Sequence, residues 1–382
     1  MRGLATAALA TLLALPFPAV LAQDLEAGRA AHDRGDHAAA LADLQPLAEQ
    51  GEAQAQLLLG HIHRRGLGVP LDHAEAARWY LAAAEQGIAE AQSNIGIMYA
   101  QGMGVERDAT IALQWFRRAA DQGNPAAQFN LAQMYRRGDG TAQDPVEALR
   151  WYRLAADAGH SGAQFNIGVM HAEGVGLPQD HATARSWFRL AADAGHAGAQ
   201  FNLGIMHAHS PDGEPDHGAA ARRFAQAAGQ GHAGAQFQLG RLHMQGLGVA
   251  ADPAEAARLF EQAAAQGHAG SRTMLGVMYS RGQGVARDHA AAARWLRLAA
   301  GQGDGDAQVL LARQYAAGLG VPQDRVRALM WLTLAALNAD AVVVTDAEAD
   351  RDRLVRRMTE AEVAQARQLA RECRDSGFRD CD

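Results

Sequence analysis

The sequence predicts an all-α protein, a right-handed α/α superhelical solenoid of helix-turn-helix repeats with no β-sheet. The first observation behind this prediction is a six-residue pattern, Ala-Gln-Phe-Asn-Ile-Gly at 163–168, which recurs every 36 residues without an insertion. The second is that glycine-rich turns and large apolar pairs recur with the same period. A fixed period of about 20–50 residues is typical of solenoids, in which each repeat completes its core against its neighbours.

Each repeat is predicted to contain a first helix (helix A), a loop and a second helix (helix B). In the repeat that begins at Ala163, helix A runs to Glu173 and ends at Gly174, because glycine readily adopts the left-handed conformation that closes helices. Helix B opens at Asp180, whose carboxylate can accept hydrogen bonds from the free amides of the first turn. We therefore interpret as caps, not catalysts, the aspartates found at this place in all eight repeats: Asp72, Asp108, Asp144, Asp180, Asp216, Asp252, Asp288 and Asp324.

Helix B carries the large apolar anchors, and alanines before and after them let two helices approach closely. Burying one such side chain contributes about 1.5–3 kcal/mol, less than a lone repeat needs to offset its ordering entropy. We expect these side chains to fill the space between repeats, and a methionine ladder (Met98, Met134, Met170, Met206, Met278) to fill the core. The anchors are Trp79-Tyr80, Trp115-Phe116, Trp151-Tyr152, Trp187-Phe188, Trp295-Leu296 and Trp331-Leu332.

The chain is predicted to have four segments. Residues 1–22 have the pattern of an export signal, with Arg2 before a short apolar run and small residues near a cleavage point after Ala22. The run is shorter than the ~20 residues that span a membrane, so we expect cleavage, export and no stable membrane insertion afterwards. Residues 23–52 form a shortened opening repeat, 53–340 the eight full repeats, and 341–382 a helical cap and tail.

The C-terminal segment departs from the repeat pattern. Thr345 and Thr359 each begin a Ser/Thr-x-x-Glu capping box, which predicts helices over 346–358 and 360–375. The two cysteines, Cys373 and Cys381, could pair in an oxidising compartment or remain free thiols on a frayed tail. With no histidine after them, they are a weak signal for a metal site.

Composition excludes several functions. The formal net charge is −7, so there is no basic field for nucleic acid. All 35 basic residues are arginine, which rules out a phosphate-loop lysine, a Ser-x-x-Lys nucleophile and a Schiff base. The chain presents no credible catalytic constellation, and we expect no cofactor and no enzymatic activity.

Histidines form two ladders, one including His171, His207 and His243, the other including His160 and His232. Equivalent positions in adjacent repeats lie roughly 10 Å apart, the spacing of packed helices, whereas zinc needs ligands at about 2.0–2.1 Å. We therefore attribute the ladders to repeat duplication and predict no metal site. His207 with His209 is the only local pair worth testing.

The fifth repeat breaks the pattern. Residues 209–215 replace the usual Gly-x-Gly-Val turn, and Arg223 stands where the other repeats have tryptophan or leucine. One interpretation is a neutral exchange of turns, since Pro-Asp-Gly is good turn chemistry. The other is a weak seam or a binding loop between Asp212 and Asp216.

The repeat unit, with Ala-Gln-Phe-Asn-Leu-Gly, Gly-x-Gly-Val, Asp, Trp and Ala-Ala in register, resembles the Sel-one-like repeat family over about 53–339. This family is related to the tetratricopeptide repeats. The resemblance implies an α/α superhelix whose A helices line a concave face and hold proteins or peptides, often in bacterial envelopes. It therefore suggests the periplasm of a Gram-negative bacterium. A cysteine-rich subgroup is linked to penicillin binding and hydrolysis, but this chain lacks the cysteine pair in each repeat.

Two ladders on helix A are the candidate binding residues. By analogy with tetratricopeptide units, the phenylalanines face the groove, and the asparagines lie at its edge, where an amide can clasp a ligand's backbone or carboxylate. Alternatively, the phenylalanines pack on the adjacent helix and the asparagines cap a neighbouring carbonyl. Arg64 and Arg136, further along helix A, could meet acidic groups of a partner. The ladder residues are Phe129, Asn130, Phe165, Asn166, Phe201, Asn202 and Phe237.

The sequence supports three hypotheses of function. The first is an exported, monomeric, non-enzymatic scaffold that binds a protein or peptide of unknown identity in the concave groove. The second is a hydrolase of cell-wall or β-lactam substrates, related to the cysteine-rich subgroup. The third is a purely structural part of a larger assembly.

Overall fold

The fold is an all-α solenoid, as predicted. The computed structural model describes residues 17–209, 214–338, 341–378 and 381, with side chains from residue 24 onward except at 338 and 341–346. Within these ranges the chain forms α-helices joined by turns, and no strand occurs. Among the described helices, none is long and apolar enough to cross a membrane.

The chain divides into two compact units, residues 1–184 and 185–382. Within each unit, consecutive helices pack on one another in chain order. Unit 1 contains α1 (Phe17–Asp33), α2 (His37–Glu49), α3 (Ala53–Arg65), α4 (His73–Glu85), α5 (Ala89–Gln101), α6 (Ala109–Asp121), α7 (Pro125–Arg137), α8 (Pro145–Asp157) and α9 (Ser161–Glu173). The boundary falls within α10 (His181–Asp193).

Unit 2 contains the remaining helices. Odd-numbered helices from α3 to α17 are helix A of the eight repeats, and even-numbered helices from α4 to α18 are helix B. The helices of unit 2 are α11 (Ala197–His209), α12 (His217–Gly229), α13 (Ala233–Gln245), α14 (Pro253–Ala265), α15 (Ala269–Arg281), α16 (His289–Ala300), α17 (Gly305–Ala317), α18 (Arg325–Asn338), α19 (Ala341–Val355) and α20 (Glu360–Asp375).

The predicted aspartate caps are confirmed in all eight repeats. In α4, Oδ1 of Asp72 accepts from the backbone amides of Ala74 and Glu75 at 2.9 and 3.0 Å. The other seven aspartates accept from first-turn amides in the same way. Each cap satisfies amides that have no partner within the helix, so helix B starts at a fixed residue in every repeat.

The glycine-rich loop packs on the preceding repeat. Gly104 has a φ of +69°, and a Cβ there would lie 2.1 Å from the carbonyl oxygen of His73, at the start of the previous helix B. Glycine is thus required both for the backbone conformation and for the close approach. The loop therefore fixes the distance between successive helix pairs.

The large side chains of helix B pack as predicted, in two different ways. Trp115 packs in a core cluster that includes Tyr80 of the preceding repeat and Met98 of its own helix A. The next residue of helix B instead packs on its own helix A, where a glycine makes room in several repeats: a Cβ on Gly96 would lie 2.9 Å from the ring of Phe116, and one on Gly240 would lie 2.7 Å from the ring of Phe260. Met98, Met134, Met170 and Met278 are buried, which confirms the core assignment for those members of the ladder.

A buried glutamine joins helix A to the preceding helix B in every repeat except the seventh, where Nε of Arg272 donates to Ala264 instead. In unit 1, Nε2 of Gln92 donates to the carbonyl oxygen of Ala84 at 3.1 Å, and its Oε1 accepts from Gln122 at 2.7 Å. The bond to the carbonyl of the preceding helix B recurs at Gln56, Gln128, Gln164, Gln200, Gln236 and Gln308. The bond from a second glutamine recurs with Gln86, Gln230 and Gln266 as the donors.

Two joints of unit 1, at Gln128 and at Gln164, lack the second bond among the described residues. The residue equivalent to Gln122 in the next repeat is Ala158, and Oε1 of Gln128 is buried without a hydrogen-bond partner among the described residues. A buried acceptor with no donor costs about 1–3 kcal/mol. The joint at Gln128 is therefore weaker than the one before it.

The chain ends differ from the predictions in two places. Helix α1 begins at Phe17, before the predicted cleavage point and before the predicted opening repeat at 23–52; residues 1–16 lie outside the described range. Helix α19 begins at Ala341, so Thr345 lies inside it rather than at its start, and the first capping box was wrong. The second, at Thr359, is confirmed, with both reciprocal bonds to Glu362 present.

The helix spacing continues further than the sequence motif. Helix α19 starts 36 residues after α17, and α20 starts 35 residues after α18. Both pack on α18. The expectation that the period stops after the eighth repeat was therefore wrong for the helix starts, although the repeat motif does stop there.

The C-terminal tail is closed by a disulfide between Cys373 and Cys381, whose Cα atoms are 4.6 Å apart. Cys373 is fully buried, and Phe378, within the loop, packs on the last core cluster. The loop thus attaches the tail to the end of the eighth repeat.

We predict that Gly240→Ala destabilises the protein by about 1–3 kcal/mol, because the new methyl group would overlap the ring of Phe260. The matched control is Gly229→Ala, a helical site with no atom within 4 Å of the added Cβ, which should be neutral or stabilise by up to about 1 kcal/mol. Denaturant unfolding followed by circular dichroism measures both. Equal midpoints for the two variants would contradict the close-packing argument.

We also predict that Ala158→Gln stabilises the protein by about 0.5–1.5 kcal/mol, because it supplies the donor that Gln128 Oε1 lacks. Ala158→Met, which has a similar length and no amide, should give no such gain. The same unfolding experiment compares them. A gain that is equal in both variants would show that the hydrogen bond is not its source.

Candidate functional site

Each helix A has a half-exposed stripe, which we call the A-face. The alanine, glutamine, fifth-position aliphatic residue and glycine of the hexapeptide are largely buried, whereas the phenylalanine and asparagine are half-buried. The asparagine position, with the residues three and seven further on, defines the A-face. In unit 1 it comprises Asn94, Ile97, Gln101, Asn130, Gln133, Arg137, Asn166, Val169 and Glu173; in unit 2 it includes Asn202, Ile205, Gln238, Arg241, Met274, Val277, Leu310 and Arg313.

The candidate phenylalanines pack internally on one side. The ring of Phe129 lies 5.8 Å from that of Tyr152 and stacks on His160 of the next repeat, with centroids 4.5 Å apart. Phe201 stacks on His232 in the same way at 4.6 Å, and Phe237 lies 4.7 Å from His268. Phe165 is half-buried at the equivalent position. These rings fix the edge of the A-face, and their contact with a ligand stays a prediction.

The histidines beside these rings are helix caps, a role that the sequence interpretation missed. Nδ1 of His160 accepts from the backbone amide of Ala163 at 3.2 Å. The equivalent bonds at His196, His232 and His268 are 3.1–3.2 Å long. An accepting Nδ1 assigns the neutral imidazole with its proton on Nε2. Burial lowers the pKa of His160, His232 and His268, which favours this form.

The candidate asparagines differ from the phenylalanines in having no internal role. Asn130, Asn166 and Asn202 are half-exposed, and their amides form no hydrogen bond with the described part of the chain. The alternative that they cap a neighbouring carbonyl is therefore not what the structure shows. Each offers two donors and an acceptor to a ligand.

Asn94, one repeat earlier, lies in a more polar setting. Its Nδ2 is 3.3 Å from Nε2 of His61, which is also 3.3 Å from Glu90. Burial, with the charges of Arg64 and Arg65, lowers the pKa of His61 to about 4. His61 is therefore neutral at physiological pH, and this end of the A-face carries no imidazolium.

Arg64 and Arg136 have internal roles beside buried tyrosines. Nε of Arg64 donates to the hydroxyl of Tyr80 at 3.2 Å, and burial raises the pKa of that phenol to about 12. The guanidinium of Arg136 similarly opposes the effect of burial on the pKa of Tyr152. Where helix B has phenylalanine instead, the arginine position holds alanine or methionine: Ala100, Ala172, Ala208 and Met244. This pairing was visible in the sequence and would have revealed the role.

The irregular fifth repeat lies partly outside the described residues, because 210–213 fall there. Arg223, in place of an apolar anchor, pairs with Asp193 at 3.0 Å. Nδ1 of His209 lies 3.1 Å from the carbonyl oxygen of Ile205, on its own helix. Over the described ranges, no group of three or more His, Cys, Asp or Glu side chains is placed to hold a metal ion.

An α/α solenoid with a repeated, solvent-accessible stripe defines a class of protein-interaction scaffolds rather than of enzymes with a deep pocket. The Sel1 repeat pattern matches eight consecutive segments: 53–88, 89–124, 125–160, 161–196, 197–232, 233–268, 270–304 and 305–340. The chain therefore belongs to the Sel1 repeat family, which confirms the resemblance. Solenoids of this family are generally non-catalytic, and family and fold together indicate a protein-interaction scaffold.

Three solved structures are similar to this chain, and the first of them supports the assignment. A Sel1 repeat protein from Oxalobacter formigenes is 33% identical, over 80% of this chain and 88% of that one, with a TM-score of 0.57. Escherichia coli c5321, a protective antigen of uropathogenic strains with an SLR fold, is 28% identical over 94% and 93% of the two chains, with a TM-score of 0.43. A sel1 repeat protein from Klebsiella pneumoniae is 22% identical over 52% and 97%, with a TM-score of 0.37. Comparison with curated proteins gave no match.

The histidine caps predict an acid-sensitive fold. Their folded pKa lies below the ordinary 6.5, so the unfolded chain binds protons first as the pH falls. Their stabilisation is therefore complete above about pH 6.5 and is lost below it, and the melting temperature should fall between pH 7.5 and pH 5.

The control is the triple variant His160→Asn, His232→Asn and His268→Asn. Asparagine already caps the equivalent position in α7, where Asn124 accepts from Ala127 at 2.9 Å, and it does not titrate. The melting temperature of the variant should fall less over the same pH interval than that of the unmodified protein, and the two decreases should differ by at least about 2 °C. An identical pH dependence would contradict the role given to these caps.

Proposed function

We propose that this protein is an exported, non-enzymatic scaffold that holds a protein or peptide against the A-face of its repeats. The observation that carries the proposal is the half-exposed asparagine that recurs on helix A without a hydrogen bond to the described residues: Asn130 and Asn166 in unit 1 and, within the other unit, Asn202. An amide that donates and accepts at once matches the peptide groups of an extended ligand.

The A-face is rigid before any ligand arrives. The phenylalanine beside Asn130 is held between Tyr152 and His160, and the glutamine before it is tied to the preceding helix. Side chains that are already ordered cost less entropy to immobilise on binding. A row of preorganised amides at a fixed repeat spacing thus favours a ligand that is itself extended or regularly repeating.

Nothing in the chemistry of the described residues favours the alternative of a hydrolase. The eight repeat aspartates are engaged as helix caps, and the histidines at 160, 196, 232 and 268 use Nδ1 in the same way. Acid and base groups that serve as structural acceptors are not free to exchange protons with a substrate.

Export is supported by two features. The first 22 residues have the pattern of a cleaved signal, and Cys373 and Cys381 are joined in a disulfide. Disulfides form and persist in oxidising compartments such as the periplasm. We therefore place the mature protein in the periplasm of a Gram-negative bacterium.

The binding proposal predicts where a ligand is cross-linked. A photoreactive amino acid at Asn130 or Asn166 should give adducts in envelope extract, whereas the same residue at the helix B surface position Arg150 should give about tenfold fewer. Mass spectrometry of the adducts identifies the partner. Equal labelling at all three positions would show that the A-face is not the binding surface.

The export proposal predicts a chain that begins at Gln23 with both thiols oxidised. Intact mass of the protein purified from the periplasmic fraction, before and after reduction, measures cleavage and the loss of two hydrogens together. A full-length, reduced chain in the cytoplasmic fraction would overturn it without affecting the cross-linking result.

A further inference from the structure

A cavity of about 250 Å³ lies in unit 2 between α17, α18 and α19. Its floor is apolar, formed by the buried side chains of Ala312 and Leu332 and by Leu354. Its rim is cationic. Four arginines line it: Arg313, Arg325, Arg353 and Arg357.

Among the lining residues whose side chains are described, arginines outnumber carboxylates. Asp350 is the one described carboxylate in the lining; its Oδ2 accepts from Nε of Arg313 at 2.6 Å, and its Oδ1 lies 3.5 Å from Arg353. Arg325 donates to the backbone carbonyl of Arg357 at 3.3 Å. The described lining is therefore cationic, in a chain whose net charge is −7.

This concentration of like charge costs stability unless an anion offsets it. The Arg353 side chain is 70% exposed, so it remains hydrated and can turn toward a ligand. Outside the lining, the pKa of Glu362 is lowered first by its hydrogen bonds with Thr359 and then by the charge of Arg325. Guanidinium groups bind carboxylates through two parallel hydrogen bonds.

A second cavity of about 170 Å³ adjoins the first and shares Arg313 with it. It lies along the A-face, with Val277 and Leu310 among its apolar lining. Ser280 also lines it and accepts from Nε2 of Gln314 at 3.2 Å, which leaves the serine proton for another acceptor. The two cavities together offer an apolar subsite with one hydroxyl donor, followed by an apolar subsite ringed with guanidiniums.

We propose that these cavities bind the C-terminal residue of a polypeptide whose last side chain is apolar. A C-terminal residue carries a carboxylate and a side chain on one Cα, which matches a cationic rim above an apolar floor. A free N-terminus is positive and would be repelled. An internal acidic residue would bring a charge but no apolar group.

The preceding residue then lies in the second cavity, with its carbonyl oxygen accepting from Ser280. The inference rests on the proposed function, because it extends peptide binding along the A-face and names the end of the ligand. The two cavities then fix the direction of the bound peptide as well as the type of its last residue. The ligand chain runs toward α19.

A hexapeptide library tests the proposal, offered to immobilised protein once with free C-terminal carboxylates and once amidated. Bound peptides are sequenced by mass spectrometry. We expect Leu, Ile, Val, Met or Phe to be enriched about tenfold at the last position of the free-acid library only. Equal enrichment after amidation, or no last-position preference, would overturn the proposal, as would displacement of every bound peptide by octanoate alone.

The variant Arg353→Gln/Arg357→Gln should abolish the last-position enrichment, whereas Arg287→Gln/Arg294→Gln, with the same change in net charge at exposed sites outside the cavity, should keep it. All four side chains are exposed, so circular dichroism should show both variants folded.

Asn202→Ala separates the two proposals. Reduced total binding with an unchanged last-position preference supports the A-face, and an unaffected Asn202→Ala with a sensitive arginine variant supports the cavity alone.

Discussion

The hydrogen bond from a buried glutamine to the preceding helix B is the contact on which the repeat architecture depends. In unit 1, Gln92 spans the joint by donating to Ala84 and accepting from Gln122. Because the side chain of Gln92 is buried, loss of either partner leaves one of its polar atoms unsatisfied in the core. The glutamine therefore aligns successive repeats along the chain direction as well as holding them together, and the spacing of the A-face asparagines follows from that alignment.

The sequence alone was sufficient for the repeat period, the aspartate caps and the glycine loops, since each depends on a few neighbouring residues. It was not sufficient for roles that depend on contacts between residues far apart in the chain. Gln92 meets Gln122, thirty residues later, and His160, the cap of α9, stacks on Phe129 of α7. Helix α19 starts earlier than its capping box because packing on α18 prevails over a local signal.

The sequence predicted where the candidate site lies, but not which of its residues pack internally and which stay accessible. The phenylalanine and asparagine ladders occupy adjacent positions in the sequence, and the structure separates them: Phe129 packs on Tyr152 and His160, while Asn130 faces solvent without a partner. Arg64 was expected to meet a ligand but binds Tyr80. The arginines of the C-terminal cavity come from α17 to α19 and the turn after it, so no local pattern could have grouped them.

The tail loop makes the end of the solenoid sensitive to reduction. Solenoids open first at their terminal repeats, because those have one neighbour instead of two. The loop closed by Cys373 and Cys381 holds Phe378 beside Gly303, in the turn between the seventh and eighth repeats. Reduction of the disulfide removes that tie, so α20 can separate more readily and give proteases an entry point.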